Sequence, residues 1–361
     1  MKNTVRKLLK ITGESLGLRK PFRYFQELLQ EPALADLPAD KVFGSFTDSY
    51  GNEIELLASL RDRLKPGWQA MLCPASQASA AIPSTKQLAQ DFRVRRDQLG
   101  HMEGFLRRPF SFSFADKEVL EIGTYNGATA YALAEAGAKS VVGTDIAAYY
   151  ILQTPDGVVS EDAIATKNSD LARLRDAYGK IVGKKTCGHV SFLEDDIQSS
   201  SLPSEAVDVV VSLGVLEHLT NPQEGFRQIA RILKPGGVAF HEYNPFFAIN
   251  GGHSLCTLDF LWGHTRLHAA DFERYLDEIR PKEKEVALSF YRNNLNRMTF
   301  SELEHQVEQA GLTLLSLLPW YSKNDLSLVT PHVLGQCKHV YPSAELADLI
   351  APTVWVLLRR D

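Results

Sequence analysis

The sequence predicts an α/β fold, in which a seven-stranded and mostly parallel sheet carries helices on both faces. From residue 117 onward, short apolar segments alternate with segments of helical pattern, and glycine or proline separates them. Strands that are apolar along most of their length are typical of sheets buried on both faces, and an intervening helix allows consecutive strands to run parallel. Both observations lead to the same architecture.

Seven apolar segments account for the strands of this sheet. In chain order they are KEVLEIG, SVVGTD, HVSFLEDD, AVDVVVSLG, GGVAFHEY, LTLLSLLPW and APTVWVLLRR. Helices are predicted from about residue 86 to 107, in TAYALAEAG, near residues 160–179, in PQEGFRQIARILKPGG and in TFSELEHQVEQAG. The last of these begins at Thr299 or Ser301, because either hydroxyl could cap the first turn.

The domain organisation follows from the residue at which the alternation of predicted strands and helices begins. We expect a helical N-terminal extension over residues 1–115 and the sheet domain over residues 116–361, with an insertion around residues 241–300. In the extension, PFRYFQELLQ and NEIELLASLRDRL are predicted to form short helices, and CPASQASAAIPSTKQ is predicted to be a loop. Such an extension is expected to cover the site or to form a homodimer interface.

Composition excludes several classes of function. The chain has 361 residues, of which 44% are hydrophobic and 23% charged, and its net charge of −5 argues against nucleic acid as a partner. No apolar run approaches the roughly 20 residues that a membrane helix needs. The four cysteines have no CxxC spacing, so neither a zinc site nor a disulfide framework is expected. We expect a cytoplasmic protein.

The stretch VLEIGTYNGATA predicts a ligand site at the end of the first sheet strand. In open α/β sheets, ligands bind beyond the carboxyl ends of the strands. Gly123 and Gly127 allow a tight turn and a close approach of the backbone, and Glu121 stands near the strand end. Asp145 ends the next strand, where its carboxylate could accept both hydroxyls of a ribose. A nucleoside-containing ligand is therefore predicted.

The turn does not match the dinucleotide pattern. A dinucleotide site would show GxGxxG, because a pyrophosphate must rest on the helix N-terminus. This chain has ExGxxxG, with Tyr125 where a middle glycine would stand, and Glu121 would repel a phosphate. A cationic nucleoside without phosphate is the better match. S-adenosylmethionine (SAM), with its sulfonium and ammonium, has that chemistry, and a nucleotide-binding dehydrogenase is the disfavoured rival.

Five motifs in order strengthen this interpretation: VLEIGTYNG, VVGTDI, EDDI, VDVVVSLGVLEHL and LKPGG. Residues from about 117 to 242 thereby resemble the class I SAM-dependent methyltransferases, with their Rossmann-like sheet, in the methyltransferase-11/UbiE-like branch. The resemblance implies that the methionine and ribose lie along the glycine turn, the ribose diol at the second strand, the adenine at the third, and the floor below the methyl group at the fourth. The implied cofactor residues are Glu121, Gly123, Thr124, Gly127, Asp145, Ile146, Asp196, Ile197, Ser212 and Leu213.

The chain departs from the family pattern at two places. Tyr125 replaces the usual second glycine, which leaves less room near the ligand. The segment after Asp145 is about twice the usual length, and its sequence AAYYILQTPDGVVS could form a lid or a partner surface. Asp195 is nearly as good a candidate as Asp196 for the contact with the adenine.

The acceptor is expected to bind near residues 241–268, which contain His241, His253, His264 and His268 together with several aromatic residues. Histidine titrates near neutral pH and can act as a base. His253, behind a flexible Gly-Gly, and His264 are the preferred bases, and His218 in the motif LEHL is a third candidate. The alternative is that these histidines bond loop backbone. No metal is expected; a set of His253, Asp259 and His264 is considered and disfavoured.

The sequence therefore predicts a SAM-dependent methyltransferase that acts on a small-molecule or carbohydrate-like acceptor at a hydroxyl oxygen. Two alternatives stay open. One is N- or C-methylation of a ring metabolite, and the other is a non-catalytic SAM-binding partner protein. The intact acids Glu121, Asp145 and Asp196 argue against the second alternative.

Overall fold

The computed structural model describes residues 41–72, 82–146 and 161–361. A hairpin comes first, formed by β1 (Val42–Thr47) and β2 (Glu53–Leu57), and a seven-stranded sheet follows. Its strands are β3 (Glu118–Ile122), β4 (Ser140–Asp145), β5 (Val190–Glu194), β6 (Val207–Leu213), β7 (Leu233–Tyr243), β8 (Leu312–Pro319) and β9 (Val354–Arg360). All seven predicted sheet strands are confirmed.

The order of the strands places a crevice near the middle of the sheet. The order is β5-β4-β3-β6-β7-β9-β8, and β9 runs antiparallel to both of its neighbours. The other neighbouring strands pair in parallel, as predicted. Strand β3 pairs with β4 on one side and with β6 on the other. Because the order of connection reverses there, the carboxyl ends of β3, β4 and β6 border the position where open α/β sheets bind ligands.

Helices surround this sheet and fill the connections. Before and beside the first strands lie α1 (Leu60–Leu64), α2 (Thr85–Phe110), α3 (Ala128–Glu135), α4 (Glu161–Val182) and α5 (Lys184–Cys187). The remainder are α6 (Pro222–Ile232), α7 (His253–Cys256), α8 (Gly263–Arg266), α9 (Ala269–Ile279), α10 (Lys284–Asn293), α11 (Phe300–Gln309), α12 (Lys323–Leu328), α13 (Pro331–Val340) and α14 (Leu346–Leu349). Thr299 caps α11 in a capping box with Glu302, as one of the two predicted alternatives.

The sheet is buried on both faces because successive residues of its strands point to opposite sides. Val119 of β3 packs with α2 and α3 in one apolar cluster. Its neighbour Leu120 packs in a second cluster with residues of α6 and α11 on the other face. No helix among the described residues is both long enough and apolar enough to cross a membrane.

A third apolar cluster lies outside these two layers and joins distant parts of the chain. It combines the hairpin β1–β2 with residues 246–295 and with residues near α13 and α14. Buried ion pairs accompany it: Arg61 Nη1 lies 2.6 Å from Glu283 Oε2, and Arg280 Nη2 lies 2.6 Å from Asp259 Oδ1. The segment between β7 and α11 is therefore a packed cap rather than an extended loop.

The prediction of a helix over residues 52–64 is wrong for its first part. Residues 53–57 form β2, and only residues 60–64 are helical. Ile54 and Leu56 are buried while Glu53 and Glu55 are exposed, so the pattern has the period of two that a half-buried strand requires. Their burial against the third cluster decides in favour of the strand.

Three other predictions concern residues that lie wholly or mostly outside the described part of the chain. The helix predicted at residues 21–30, most of the loop predicted at 73–87 and the stretch at 147–160 lie outside it. The helix expected near residues 160–179 is confirmed as α4, and the one expected from about residue 86 to 107 is confirmed as α2.

The hairpin offers a matched pair of substitutions for testing the third cluster. Phe46 is 2% exposed and its ring meets Tyr275 at 5.3 Å, whereas Phe43 on the same strand is 50% exposed. We expect Phe46→Ala to lower the free energy of unfolding by about 3–5 kcal/mol and Phe43→Ala to change it by less than about 0.5 kcal/mol. Urea unfolding of both variants measures the difference. Equal losses would contradict the placement of the hairpin.

Candidate functional site

A pocket opens where the carboxyl ends of β3, β4 and β6 meet. Its empty space is about 580 Å³, which includes open solvent at its mouth. Its walls come from the turns after β3 and β6, the end of β4 and the turn after β5. The lining residues are Ile122, Gly123, Asp145, Ile146, Asp195, Asp196, Ile197, Gln198, Gly214, Val215, His218 and Leu219.

The glycine turn after β3 is held by close packing. Gly123 has φ +75°, and a Cβ there would lie 2.4 Å from Val215 Cγ2. Gly127 has φ +79°, and its Cβ would lie 2.6 Å from Phe192 Cζ. A side chain at either position would be strained in its backbone and would collide with a neighbour. The two glycines are thus required by the fold of the turn as well as by access to a ligand.

Asp145 stands at the pocket end of β4, and its carboxylate is oriented by backbone. Its Oδ2 accepts a hydrogen bond from the Tyr125 amide at 2.7 Å, and its Oδ1 accepts one from the Ile146 amide at 2.9 Å. Burial is the largest influence on this carboxyl and raises its pKa. The side chain therefore ties the glycine turn to β4 while it faces the pocket.

Glu121 lies beneath the same turn, outside the pocket lining. It is 3% exposed, and the Thr124 hydroxyl donates a hydrogen bond of 2.7 Å to its Oε2. Burial raises the pKa of Glu121 to about 7, against the opposing effect of hydrogen bonds from Thr124 and Thr129. Glu121 and Thr124 thus support the turn from behind.

A short turn follows β5 and carries Asp195, Asp196 and Ile197 into the pocket wall. Asp196 Oδ1 accepts a hydrogen bond from the Gln198 amide at 2.9 Å. Asp195 Oδ1 accepts hydrogen bonds of 2.8 Å from the amide and the hydroxyl of Ser201. Both acids line the pocket, so the geometry keeps both candidates for the adenine contact.

After β6, the residues that line the pocket come slightly later in the chain than the sequence predicts. Ser212 is fully buried, and its Oγ lies 2.7 Å from His241 Nδ1. Gly214 and Val215, immediately after the strand, line the pocket instead of Ser212 and Leu213. Sequence reasoning missed Ile122, Gln198, Gly214, Val215 and Leu219; the glycine directly after a strand end was the available signal for Gly214.

Two of the four histidines of the stretch 241–268 are buried in the cap or the sheet. His264 is 1% exposed, its Nε2 lies 2.7 Å from the Phe246 carbonyl oxygen, and burial lowers its pKa to about 4. His241 is 0% exposed, and burial lowers its pKa to about 3. Neither residue lines the pocket. His268 is half-buried beside Tyr50 and His339 at the other side of the cap.

The expectation that Gly251 and Gly252 form a flexible pair is wrong. Both glycines are buried. A Cβ on Gly251 would lie 2.2 Å from the Pro245 carbonyl oxygen, and one on Gly252 would lie 2.9 Å from His264 Nδ1. The pair is present because the backbone passes too close to its neighbours for any side chain.

His218 and His253 do come together, although they are 35 positions apart. Their ring centroids are 4.8 Å apart, and His218 lines the pocket. Glu217 is 1% exposed beside them, and its pKa is raised by burial. By contrast, Asp259 of the disfavoured metal set accepts hydrogen bonds from Arg280 and Tyr275. We call Glu217, His218 and His253 the polar cluster.

A family model described as a methyltransferase domain matches residues 95–317, which is more than half of the chain. The chain belongs to this methyltransferase family. The match confirms the predicted class I SAM-dependent methyltransferases as its relatives, and SAM as the cofactor. The chemistry of the pocket fits SAM. The acid at the end of β4 can bind a ribose, and the glycine turn lets the backbone approach the ligand closely. The apolar side chains of Ile146 and Ile197 can pack against a ring.

Several solved structures with similar folds are methyltransferases, and their sequence identity to this chain is low. A SAM-dependent methyltransferase from Mesorhizobium loti is 15% identical, covering 72% of this chain and 97% of that one with a TM-score of 0.41. Geranyl diphosphate C-methyltransferase from Streptomyces coelicolor, solved with Mg²⁺, geranyl diphosphate and S-adenosyl-L-homocysteine, is 13% identical, covering 73% and 77% with a TM-score of 0.40. Such distant matches carry no information about the acceptor. Comparison with curated proteins gave no match.

The buried Glu121 carboxyl generates a prediction about stability. Its pKa of about 7 in the folded chain exceeds the value of about 4.3 in an unfolded chain, so its contribution to stability is lost as the pH rises through 7. In the absence of SAM, we expect Glu121→Gln to raise the free energy of unfolding relative to the unsubstituted chain at pH 8 by up to about 3 kcal/mol.

Denaturant unfolding at pH 5.5 and pH 8 measures this effect. At pH 5.5 the carboxyl is protonated in the folded chain but largely ionised in the unfolded chain, so the advantage of Glu121→Gln should be about half of its value at pH 8. Thr124→Val, which removes the hydroxyl donor, is the matched control and should destabilise the chain most at pH 8. A variant Glu121→Gln that is equally destabilised at both pH values would contradict the burial of an ionisable carboxyl.

Proposed function

We propose that this methyltransferase transfers the SAM methyl group to a hydroxyl oxygen of a small-molecule or carbohydrate-like acceptor. One observation carries the proposal: His218 belongs both to the wall of the cofactor pocket and to the polar cluster. A group that can promote loss of a hydroxyl proton is therefore adjacent to the pocket in which we propose that the cofactor binds.

On the cofactor side, we assign the ribose diol to Asp145 and the adenine to Asp196 and Ile197. The two amides that bind the Asp145 carboxylate use one lone pair on each oxygen. Each oxygen has a second lone pair, so the same carboxylate can accept from a diol. Gly123 and Gly127 supply backbone for the methionine part, and Glu121 with Thr124 supports the turn that presents it.

On the acceptor side, the polar cluster promotes removal of the proton. A hydroxyl becomes a good nucleophile when a base accepts its proton, either an imidazole of the cluster or a solvent water beside it, and catalysis of this kind contributes typically about 10²–10⁴ in rate. The oxygen lone pair then forms the O–C bond to the methyl carbon. The C–S bond breaks, and its electron pair returns to sulfur, which leaves neutral S-adenosylhomocysteine. The protein's part is alignment and exclusion of water.

The structure changes the ranking of the histidines. His264 Nε2 donates a hydrogen bond to the Phe246 carbonyl oxygen within the cap, and its burial removes it from the pocket. We assign it a structural role and place the acceptor chemistry at His218 and His253. This differs from the order expected from sequence, in which His253 and His264 led.

The cofactor assignment is tested by Asp145→Asn. We expect this variant to weaken SAM binding by at least about tenfold, because a carboxylate hydrogen bond is worth about 1.5–3 kcal/mol. Isothermal titration with SAM and S-adenosylhomocysteine measures the loss, and a thermal shift with NAD should show no stabilisation. Asp176→Asn, at an exposed site on α4, is the control. Unchanged SAM binding by Asp145→Asn would refute the ribose assignment.

The acceptor assignment is tested by kinetics. Once a screen with labelled SAM over a metabolite extract has identified an acceptor, we expect His218→Ala to lower kcat by about 10²–10⁴, a much larger effect than its loss of SAM affinity. His268→Ala, in the same cap but away from the pocket, should retain full turnover. Mass spectrometry locates the methyl group. Methylated nitrogen or carbon in the product would overturn the proposal of oxygen.

A further inference from the structure

The polar cluster brings together three side chains that can bind a metal ion, from two distant parts of the chain. Glu217 and His218 come from the short turn Leu216–His218 after β6, and His253 begins α7 in the cap. One ligand atom from each residue lies within 4.8 Å of the other two. Among the described residues, this is the set of acid, histidine and cysteine side chains that meets this criterion.

Two buried atoms of the cluster have no hydrogen-bond partner: Glu217 Oε2 and His253 Nε2. Leaving a buried polar atom unsatisfied costs about 1–3 kcal/mol, and more for a charged group. The backbone of His253 adds to the cost, because it is held at φ +49°, in a region that non-glycine residues rarely occupy. A carboxylate oxygen offers lone pairs, and so does Nε2 of an imidazole that carries its proton on Nδ1, so a cation or a hydrogen-bond donor could serve both residues.

The other atoms of the cluster are held in the way that metal ligands are held. His218 Nδ1 lies 2.6 Å from the Asn294 carbonyl oxygen, so the ring donates from Nδ1, and its neutral form has the lone pair on Nε2. Glu217 Oε1 accepts a hydrogen bond of 3.2 Å from the Asn244 amide. Metal-bound histidines almost always donate their second ring N–H to an oxygen in this manner, which fixes tautomer and orientation.

From these contacts we infer that Glu217, His218 and His253 form a binding site for a divalent transition metal of the zinc type. Two histidines and one glutamate are a known ligand set for catalytic zinc, with an open fourth position. Ligands about 2.0–2.2 Å from zinc lie about 3.3 Å from one another, so a modest rotation of the two rings closes the present separation. The open position would face the pocket, because His218 lines it.

Lys65, which follows α1, is the cation that could take the place of a metal ion. Its positive charge interacts with Glu217 of the polar cluster. Burial lowers the pKa of Lys65 to about 8, and the neighbouring Glu217 raises it. Its ammonium nevertheless makes no hydrogen bond with Glu217 Oε2, which stays without a partner. The lysine therefore leaves Glu217 Oε2 and His253 Nε2 without a partner.

The metal would explain how the cluster promotes methyl transfer, and this part rests on the proposed function. An acceptor hydroxyl bound at the open position becomes more acidic, as water does on zinc. Its proton passes to solvent water, the oxygen lone pair forms the O–C bond, and the C–S bond electrons return to sulfur. No oxidant or reductant is needed. The expectation from sequence that no metal takes part would be replaced.

The test measures metal binding by the full chain without SAM or acceptor. The chain is stripped with a chelator and titrated with Zn²⁺ by calorimetry and with Co²⁺ by visible absorption. We expect one equivalent of Zn²⁺ to bind and Co²⁺ to give the spectrum of a low-symmetry nitrogen and oxygen site. His253→Ala and Glu217→Gln should each weaken binding by more than about 100-fold, since even outer-shell changes cost 10–100-fold.

Three controls keep the test decisive. His268→Ala removes a half-buried histidine of the same cap and should bind Zn²⁺ as the unsubstituted chain does. Lys65→Met should bind it at least as tightly, because a repelling charge is gone. A SAM-induced thermal shift retained by His253→Ala and Glu217→Gln shows that both variants are folded.

The outcomes separate the inference from the proposed function. If the chain binds no Zn²⁺, or if His253→Ala and Glu217→Gln bind it as tightly as the unsubstituted chain, the metal site is refuted. If Lys65→Met alone begins to bind Zn²⁺, the lysine is the resident cation and the inference is refuted as well. Methyl transfer to oxygen that persists after chelation refutes the role of the metal but leaves the proposed function standing. Zn²⁺ binding together with an N- or C-methylated product supports the metal site but refutes the proposed transfer to oxygen.

Discussion

The close approach of Gly123 to Val215 is the constraint on which both halves of the site depend. A Cβ on Gly123 would lie 2.4 Å from Val215 Cγ2, so the turn after β3 and the turn after β6 are in direct contact. The first turn contacts the cofactor pocket and is tied to Asp145. The second continues within three residues to Glu217 and His218. A displacement of one turn is therefore transmitted to the other, because close-packed interiors do not absorb changes of this size.

The cap supplies the part of the site that the sheet cannot. Hairpin β1–β2 and the segment after β7 share one apolar cluster, and that packing brings His253 against His218. The strained backbone of His253 and the unsatisfied atoms beside it persist because the cap determines them. Such costs are found at functional sites, where the surrounding structure compensates for them. The cap is thus the region in which the acceptor specificity of this chain would be decided.

Much of the fold was predictable because its signals are local. Apolar strands separated by glycine and proline identified all seven sheet strands, and Thr299 and Glu302 form a capping box that marks a helix start within four residues. The error at residues 53–57 has a physical cause: a five-residue period-two pattern is short, and its burial depends on a cluster assembled from residues some 200 positions away. Gly251 and Gly252 were misjudged for the same reason, since a glycine required by packing and one that provides flexibility look alike in sequence.

By itself, the sequence determined the family, the cofactor and the order of the sheet elements, because glycine turns and acids at strand ends act through neighbouring backbone. Only the tertiary structure decided which histidines meet. His218, His253 and His264 have the same chemistry in the sequence, yet burial and the Phe246 carbonyl remove His264, while cap packing brings His253 to His218 and to the buried Glu217. Contacts between residues distant along the chain depend on three-dimensional packing, which residue spacing does not encode.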